Sequence, residues 1–370
     1  MSSSARLAGA VVAAALLAGC NGMQSSSAPG VTQSIADNQY GRTNARYLAM
    51  QNPRGIVPHI RLNHHASWTS PAAKRTKYLL YASDAGSGTV DVYAYKSKAG
   101  HLLGQLTGFS IPSGECVDAS GDVFITDNGV GDVVEYAHGG TSPIQTLSDP
   151  YGDPVGCSID PTTGNLAVAA FPSYGSEGSM AIYTGATGSA TNVANPNLQN
   201  MWSPGYDPSG NLWVEGRNVS GVPGFNELPA GGGSFSSINL SGFSIGFPGG
   251  VQWDGFYVAL ADQGYPSPSS FTEGIYRVTI AGGTASLVRA TGLTDSCYPS
   301  SLPYIGSQQP YMTGTTSKLN AVVAGNYDCS NRLDFWNYTN GGNPKRTEPS
   351  SIAPLLGGYG QTVSAASAGR

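Results

Sequence analysis

The sequence predicts an all-β protein, a six-bladed β-propeller whose first blade is closed by a strand from the C-terminus. Three observations predict this fold: a unit of four short strands recurs, turn-forming residues separate the strands, and the C-terminus repeats the start of that unit. The chain has 370 residues with 51 Gly and 24 Pro, which suits many short strands joined by tight turns. The propeller is predicted to span residues 56–370.

The clearest copy of the repeated unit occupies residues 115–147. Its apolar and β-branched runs predict strands at 115–119, 123–126, 132–136 and 143–147. Gly, Asn and Asp stand between them, as tight hairpin turns require. The unit therefore predicts one antiparallel meander of four strands.

The same pattern continues through the rest of the chain. An aspartate follows the first strand of successive units about 45 residues apart, which is a suitable spacing for four-stranded propeller blades. These residues are Asp118, Asp160, Asp207 and Asp254. Blades are predicted at residues 78–106, 115–150, 154–184, 203–240, 249–289 and from 311 to beyond 344.

The first blade lacks an evident first strand, and the C-terminus supplies one. Residues 359–364 (YGQTVS) are comparable with residues 113–118 (SGECVD). A strand here would pair with the first blade and tie the two chain ends into one ring. Such closure removes a free sheet edge, which suppresses association between edges.

The N-terminus predicts export and a lipid anchor. Residues 1–20 contain Arg6 and then a short apolar run, as a signal peptide does, and they end in the tetrapeptide LAGC. This tetrapeptide resembles the lipobox of bacterial lipoproteins, which implies cleavage before Cys20 and acylation of its thiol. The alternative is an ordinary secretory signal with a chance cysteine. Residues 21–55 are rich in small polar residues and predict a flexible tether.

The repeated motifs also resemble a known group of folds. The run Ser209-Gly210-Asn211-Leu212-Trp213 is similar to the strand-turn-strand pattern of NHL-type and TolB-like six-bladed propellers. Together with the segments GECVD, GCSIDPTTGNLAV and WSPGYDPSGNLWVEG, it also resembles a group of uncharacterised bacterial lipoproteins. The resemblance covers about residues 60–366 and implies a fold, which does not imply a function.

Four cysteines remain after Cys20. An even number in an exported chain predicts two disulfides, and we expect Cys116 to pair with Cys157 and Cys297 with Cys329. The first pair occupies nearly equivalent first-strand positions, although the two cysteines stand at different distances from the next aspartate. A metal site is the alternative, but no Cys-x₂-Cys spacing supports it.

The charge balance argues against one class of partner. The net charge is −5, and charged residues make up only 11% of the chain. Nucleic-acid binding depends on clustered Lys and Arg, which this chain lacks.

We expect a monomer in the bacterial cell envelope, at the outer membrane or cell surface, with a glycan or protein partner.

Oxygen-bearing side chains near the ends of strands predict a possible calcium site. Lactonases with six-bladed propellers hold a divalent ion in the central channel with Glu, Asn and Asp from several blades, and calcium prefers such ligands. The candidates are Glu115, Asp127, Asn128, Asp262 and Asp328. The alternative is that these residues only form tight turns, where Asp and Asn are common.

Aromatic residues before the first strands predict a ligand-binding face. Aromatic rings beside polar turn residues suit sugars or extended peptides. The candidates are Tyr151, Trp202, Phe247, Tyr298 and Tyr359. The alternative is packing between blades.

No coherent catalytic set is visible in the sequence. Ser244 lies in a G-x-S-x-G motif, but a strand pattern follows it instead of a helix, and the last histidine, His138, precedes it. We therefore expect a lipid-anchored, non-enzymatic binding or scaffold module for a glycan, peptide or protein. The alternative is a divalent-metal-dependent, lactonase-like hydrolase or lyase.

Overall fold

The computed structural model describes residues 65–95, 101–172, 177–263, 274–294, 311–312, 321–326, 332–347 and 358–365. The predicted signal peptide and tether, with Cys20, lie outside these ranges, as do Cys297, Cys329, Tyr298 and Asp328. The described chain is all-β; its helical content is two 3₁₀ turns, Ala73–Arg75 and Thr184–Ala186. None of the described helices is long and apolar enough to cross a membrane.

Sheet one contains the predicted first-blade strands and one that the sequence did not predict. Its members in the first part of the chain are β1 (Trp68–Thr69), β2 (Tyr78–Asp84), β3 (Thr89–Ala94) and β4 (Leu102–Thr107). The unpredicted strand, β1, pairs antiparallel with the outer edge of β4. It is too short for its two residues to show an alternating pattern.

Sheets two and three are antiparallel meanders of four strands each. Sheet two has β5 (Pro112–Val117), β6 (Val123–Asp127), β7 (Asp132–Tyr136) and β8 (Pro143–Ser148). Sheet three has β9 (Asp153–Ile159), β10 (Leu166–Phe171), β11 (Gly178–Tyr183) and β12 (Thr191–Asn195). Their second strands are buried along their whole length, which explains why these read as continuous apolar runs rather than alternating ones.

Sheets four and five are the two halves of one nine-stranded sheet. Sheet four has β13 (Asn200–Met201), β14 (Gly205–Tyr206), β15 (Leu212–Arg217), β16 (Pro223–Leu228) and β17 (Ser236–Ser241). Sheet five has β18 (Pro248–Trp253), β19 (Val258–Asp262), β20 (Gly274–Ala281) and β21 (Thr284–Gly292). The halves are joined by parallel pairing of the outer strands β17 and β21, a contact between units that the repeat did not predict.

Sheet six and the C-terminal strand complete the described fold. Sheet six has β22 (Tyr311–Met312), β23 (Ala321–Asn326), β24 (Arg332–Asn337) and β25 (Arg346–Thr347). The last strand, β26 (Gly358–Ala365), pairs antiparallel with β2 of sheet one.

The core lies between the faces of successive sheets. One cluster packs Val90 and Val92 of sheet one against Val123 and Ile125 of sheet two, and similar clusters lie between the sheets that follow. A further cluster joins Leu333 and Phe335 of sheet six to strands of sheet one. Burial of apolar side chains between sheets is thus the main stabilising interaction of the fold.

Glycines allow the first strands of neighbouring sheets to approach closely. A Cβ on Gly156 would lie 2.4 Å from the Ser203 Oγ of sheet four. A Cβ on Gly360 of β26 would lie 2.1 Å from the Ser113 carbonyl oxygen of sheet two. Any side chain at these positions would force the strands apart.

The predicted disulfide between Cys116 and Cys157 is confirmed. The two Cα atoms are 5.5 Å apart, a normal separation for a disulfide. Cys116 stands opposite Phe124 in sheet two, and Cys157 stands opposite Val168 in sheet three. Both partners lie three residues before the end of their second strand, so the sulfurs occupy equivalent ladder positions. Cys157 lies one residue farther from its following aspartate than Cys116 does. That additional residue falls after Cys157, towards the turn, so the strand pairing at the disulfide needs no change of register.

Replacing both cysteines by alanine is expected to lower the free energy of unfolding by about 3 to 4 kcal/mol, because the bond closes a loop between residues 41 apart. Urea denaturation of the Cys116→Ala/Cys157→Ala chain against the wild type measures this. The comparison is made without reductant so that other cysteines are unaffected. An unchanged midpoint would contradict the stabilising role.

Candidate functional site

Two of the predicted calcium ligands instead hold loops against the sheet. The Asp127 carboxylate accepts hydrogen bonds from the Ser110 amide at 2.8 Å and the Ile111 amide at 2.7 Å. At the equivalent place in sheet five, Asp262 accepts from the Gly246 and Phe247 amides at 2.8 and 2.9 Å. These carboxylates are used to fix the chain before each first strand, as the turn interpretation expected.

Glu115 is also a structural residue. Its side chain is fully buried and its Oε1 accepts a hydrogen bond from the Ser83 hydroxyl at 2.5 Å. A Cβ on Gly360 would lie 2.6 Å from Glu115 Oε2, so the C-terminal strand covers this carboxyl. Burial raises the pKa of Glu115 well above its usual range, while the Ser83 hydrogen bond opposes that shift.

Asn128 is buried, but it does not join the other calcium candidates in one acidic cluster. Its side chain is 1% exposed, and neither amide atom has a hydrogen-bond partner among the described residues. Among those residues, the acidic group whose ligand atoms lie close together contains none of the predicted calcium ligands. The calcium site predicted from these residues therefore stays a prediction, while in the structure Asp127 and Asp262 bind backbone amides.

Trp202 and Phe247 do not belong to an exposed aromatic face, which corrects the prediction for these two residues. Trp202 and Phe247 are only 1% and 2% exposed. The Trp202 ring packs edge-on against the rings of Phe171 and Phe247, with distances between ring centroids of 5.0 and 5.5 Å. The packing alternative applies to these residues. Tyr151 is half-buried, with its hydroxyl donating to the Ala190 carbonyl oxygen at 3.1 Å, and the Tyr359 side chain lies outside the described part.

The serine of the G-x-S-x-G motif does not lie at a strand-to-helix turn. Ser244 is in the loop between β17 and β18. The next element is a strand, and the Gly246 amide of the motif is bound by Asp262. The motif therefore lacks the context of a nucleophile elbow.

An open pocket of about 890 Å³ lies between sheets two and three, within the size range of ligand sites. It lies where the first-strand turns of both sheets meet the outer part of sheet two. Its walls combine apolar and polar side chains, among them Ile144, Ile159, Asp118, Glu135, Gln145 and Asp160. None of the described lining residues is Lys or Arg.

The polar wall of this pocket is acidic. Asp118, Asp122 and Glu135 have carboxylate oxygens within 4.8 Å of one another. Asp118 accepts the Ser120 and Asp122 amides at 2.8 Å, and Glu135 accepts the Gln145 side-chain amide at 2.6 Å. Burial raises the pKa of Glu135, the Gln145 hydrogen bond lowers it, and the charges of Asp122 and Asp118 raise it.

Among the described residues, this group brings three carboxylates close enough together to hold a metal ion, and sequence reasoning missed it. Carboxylate oxygens suit calcium, but hydrogen bonds within the group already occupy part of them. Asp118 and Asp122 flank the Ser120-Gly121 turn, and Glu135 stands opposite Phe124 in the adjacent strand. Strand pairing predicted from the hairpin pattern could have placed Glu135 near the turn, but the sequence does not show which face its side chain takes.

A second buried carboxyl lies between sheets four and five. Glu215 of β15 is fully buried. Burial, and then the charge of Asp262, raise its pKa well above the usual range, while the Gly249 amide opposes the shift. Burial therefore favours the protonated form of Glu215, which is held inside the fold rather than in the pocket.

No family model matches the chain, and no curated protein matches it. Similar solved structures exist at low identity. A chain of the nidogen/laminin complex has a TM-score of 0.58 and 15% identity, over 79% of this chain and 100% of that chain. A Bacteroides caccae protein of unknown function has a TM-score of 0.53 and 12% identity, over 78% and 99%. A functionally unknown protein of Desulfotomaculum acetoxidans has a TM-score of 0.50 and 11% identity, over 78% and 99%.

These similarities concern the fold alone. Each covers almost the whole of the other chain, and three of the sheets of the described residues are four-stranded antiparallel sheets. Together they identify the fold as a β-propeller. At these identities they carry no ligand or activity to this chain.

Removing the buried acid of β15 is expected to change how stability depends on pH. The folded pKa of Glu215 is raised well above its usual range, so the folded state binds its proton more tightly than the unfolded state. Stability is then lost as pH rises from about 4.5 through the folded pKa, by up to about 1.4 kcal/mol per pH unit. Glu215→Gln should remove this loss.

Urea denaturation at several pH values measures the effect. We expect Glu215→Gln to gain stability over the wild type as pH rises from 5 to about 8, and the exposed control Glu177→Gln to follow the wild type. If the free energy of unfolding of Glu215→Gln and of the wild type changed in parallel with pH, the raised pKa of the Glu215 carboxyl would be contradicted.

Proposed function

We propose that this chain is a lipid-anchored β-propeller of the bacterial cell envelope that works as a non-enzymatic binding module. The observation that carries the proposal is the open pocket between sheets two and three. It combines apolar side chains such as Ile144 and Ile159 with the carboxylates of Asp118 and Glu135 and the amide of Gln145. Such a mixture binds and orients a polar partner.

The proposal includes six blades of the NHL or TolB-like type closed by the C-terminal strand. Its support is the pairing of β26 with β2 together with the apolar cluster that joins sheets six and one. A polar contact adds to this: His138 of sheet two lies 2.6 Å, Nδ1 to Oγ, from Ser364 of β26. His138 Nε2 lies 2.8 Å from the Thr76 carbonyl oxygen just before β2.

The anchor is supported by the sequence of the N-terminus. Residues 1–20 have the pattern of a lipoprotein signal peptide, and acylation of Cys20 would hold the protein on a membrane. Residues 21–55 would then act as a tether that lets the propeller reach partners at the outer membrane or cell surface.

A metal-dependent, lactonase-like hydrolase or lyase is the second candidate, with weaker support. Asp127 and Asp262, which it would use in the channel, already hold backbone amides. A calcium ion would fit better at Asp118, Asp122 and Glu135, which line or adjoin the pocket at the outer part of sheet two. A metal there would support binding rather than chemistry at the channel.

Site-specific photo-crosslinking in cells tests the binding module. Benzoylphenylalanine is placed at Ile144, which lines the pocket and is 53% exposed, or at Val288 on the outer strand of sheet five, which is 44% exposed. We expect an adduct from position 144 in the membrane fraction and none from position 288. A Cys20→Ser chain should lose its membrane association and weaken the adduct.

Equal adducts from both positions would indicate nonspecific contact, and no adduct from either would contradict the binding function. Membrane association that persists in Cys20→Ser would contradict the lipid anchor.

A further inference from the structure

The outer edges of the sheets are not all covered in the same way. In sheet one, β1 pairs with β4 through Trp68 opposite Gln105 and Thr69 opposite Gly104. In sheets four and five, β17 and β21 pair with each other. In the described part of the chain, no strand pairs with the outer edge of β8 in sheet two or of β12 in sheet three. The outer edge of β25 in sheet six is likewise unpaired among the described strands, so two of these three uncovered edges belong to the sheets that form the pocket.

The outer edge of β8 is suited to accept another strand. Its sequence, PIQTLS, has no charged residue, and charges are what proteins commonly use to block strand addition at an edge. Four of its six residues are exposed. Pro143 and a bulge opposite Glu135 and Tyr136 limit pairing at one end, and the Ser148 carbonyl oxygen accepts the Tyr183 hydroxyl at the other. The usable edge is thus short, at residues 144–147.

Short strand addition has a precedent within this molecule. The two-residue strand β1 pairs with β4, and β17 pairs with β21 over three residue pairs. An added strand gains main-chain hydrogen bonds from the edge and specificity from pockets for alternate side chains. Residues 144–147 of β8 offer an edge at least as long as these two pairings.

The pocket lies beside this edge and selects for positive charge. Gln145 of β8 stands opposite Glu135 of β7, and both line the pocket. A strand added to β8 would place alternate side chains on the same face as Gln145. A long cationic side chain there would meet the carboxylates of Glu135 and Asp118, with no Lys or Arg among the described lining residues to repel it.

We propose that β8 is a docking edge for an extended peptide, which adds a strand to sheet two and places a Lys or Arg side chain in the acidic pocket. This inference rests on the proposed binding function and names its partner class. It favours a peptide over a glycan because the open main-chain edge recognises a backbone. It favours β8 over β12 because residues of β8, and none of β12, line the pocket.

Fluorescence anisotropy with the full chain in detergent micelles tests the docking edge. The probe is a short fluorescein-labelled peptide of alternating threonine and valine with one central lysine. Two control peptides carry glutamine instead of lysine, or N-methyl groups on alternate backbone amides. We expect saturable binding of the lysine peptide, binding about fivefold weaker with glutamine, and no binding of the N-methylated peptide.

The chain offers a matched pair of variants. Glu135 stands opposite Phe124, and Glu227 stands opposite Trp213 at the equivalent position of sheet four. Glu135→Gln should weaken the lysine peptide about fivefold and leave the glutamine peptide unchanged, while Glu227→Gln should leave both unchanged. Circular dichroism verifies that both variants are folded.

Four results would overturn the inference: no saturable binding, equal binding of the lysine and glutamine peptides, undiminished binding of the N-methylated peptide, or equal losses in the two variants. Self-association that blocks the peptide would assign the edge to a second copy of the chain and would also overturn it. If crosslinking at position 144 yields an adduct while these peptides fail, the binding module stands and only the peptide docking is wrong.

Discussion

The pairing of β26 with β2 is the contact on which the rest of the structure depends. Six residue pairs, from Tyr78 opposite Ala365 to Asp84 opposite Gly358, place this C-terminal strand at one edge of the first sheet, beside β2. Without them, β2 would expose a row of main-chain donors and acceptors at its inner edge. Gly360 makes this position possible because Ser113 and Glu115 occupy the space where a side chain would stand. The buried Glu115 is in turn hydrogen-bonded to Ser83 of β2.

The inner and outer parts of the fold obey different constraints. Near the centre, first strands approach so closely that glycine is needed, as at Gly156 beside Ser203. Burial raises the pKa of carboxyls there, such as Glu215, well above their usual range. At the periphery the sheets diverge, so an uncovered edge and an open pocket can coexist. This difference explains why the candidate site lies at the outer strands of sheets two and three and not in the centre.

The sequence predicts the elements that recur within each repeated unit. It does not predict the contacts that one sheet makes with the next. Strands, turns, the C-terminal strand and the Cys116–Cys157 bond follow from patterns within each unit. Asp127 illustrates this limit, because a carboxylate that binds loop amides, as it does here, and one that binds calcium look alike in sequence. Trp202 was assigned wrongly because its burial depends on Phe171 and Phe247 from the neighbouring sheets. The pairing of β17 with β21 and the short β1 carry no periodic signal.

The most direct test of this account is the stability of Gly360→Ala against Gly233→Ala, measured by urea denaturation. A Cβ at Gly360 would meet the Ser113 carbonyl oxygen at 2.1 Å, whereas one at Gly233 would meet nothing within 4 Å. The account predicts that Gly360→Ala lowers the free energy of unfolding by about 2 kcal/mol or more, with Gly233→Ala close to the wild type. Equal stability of the two variants would show that the C-terminal strand does not pack against sheets one and two.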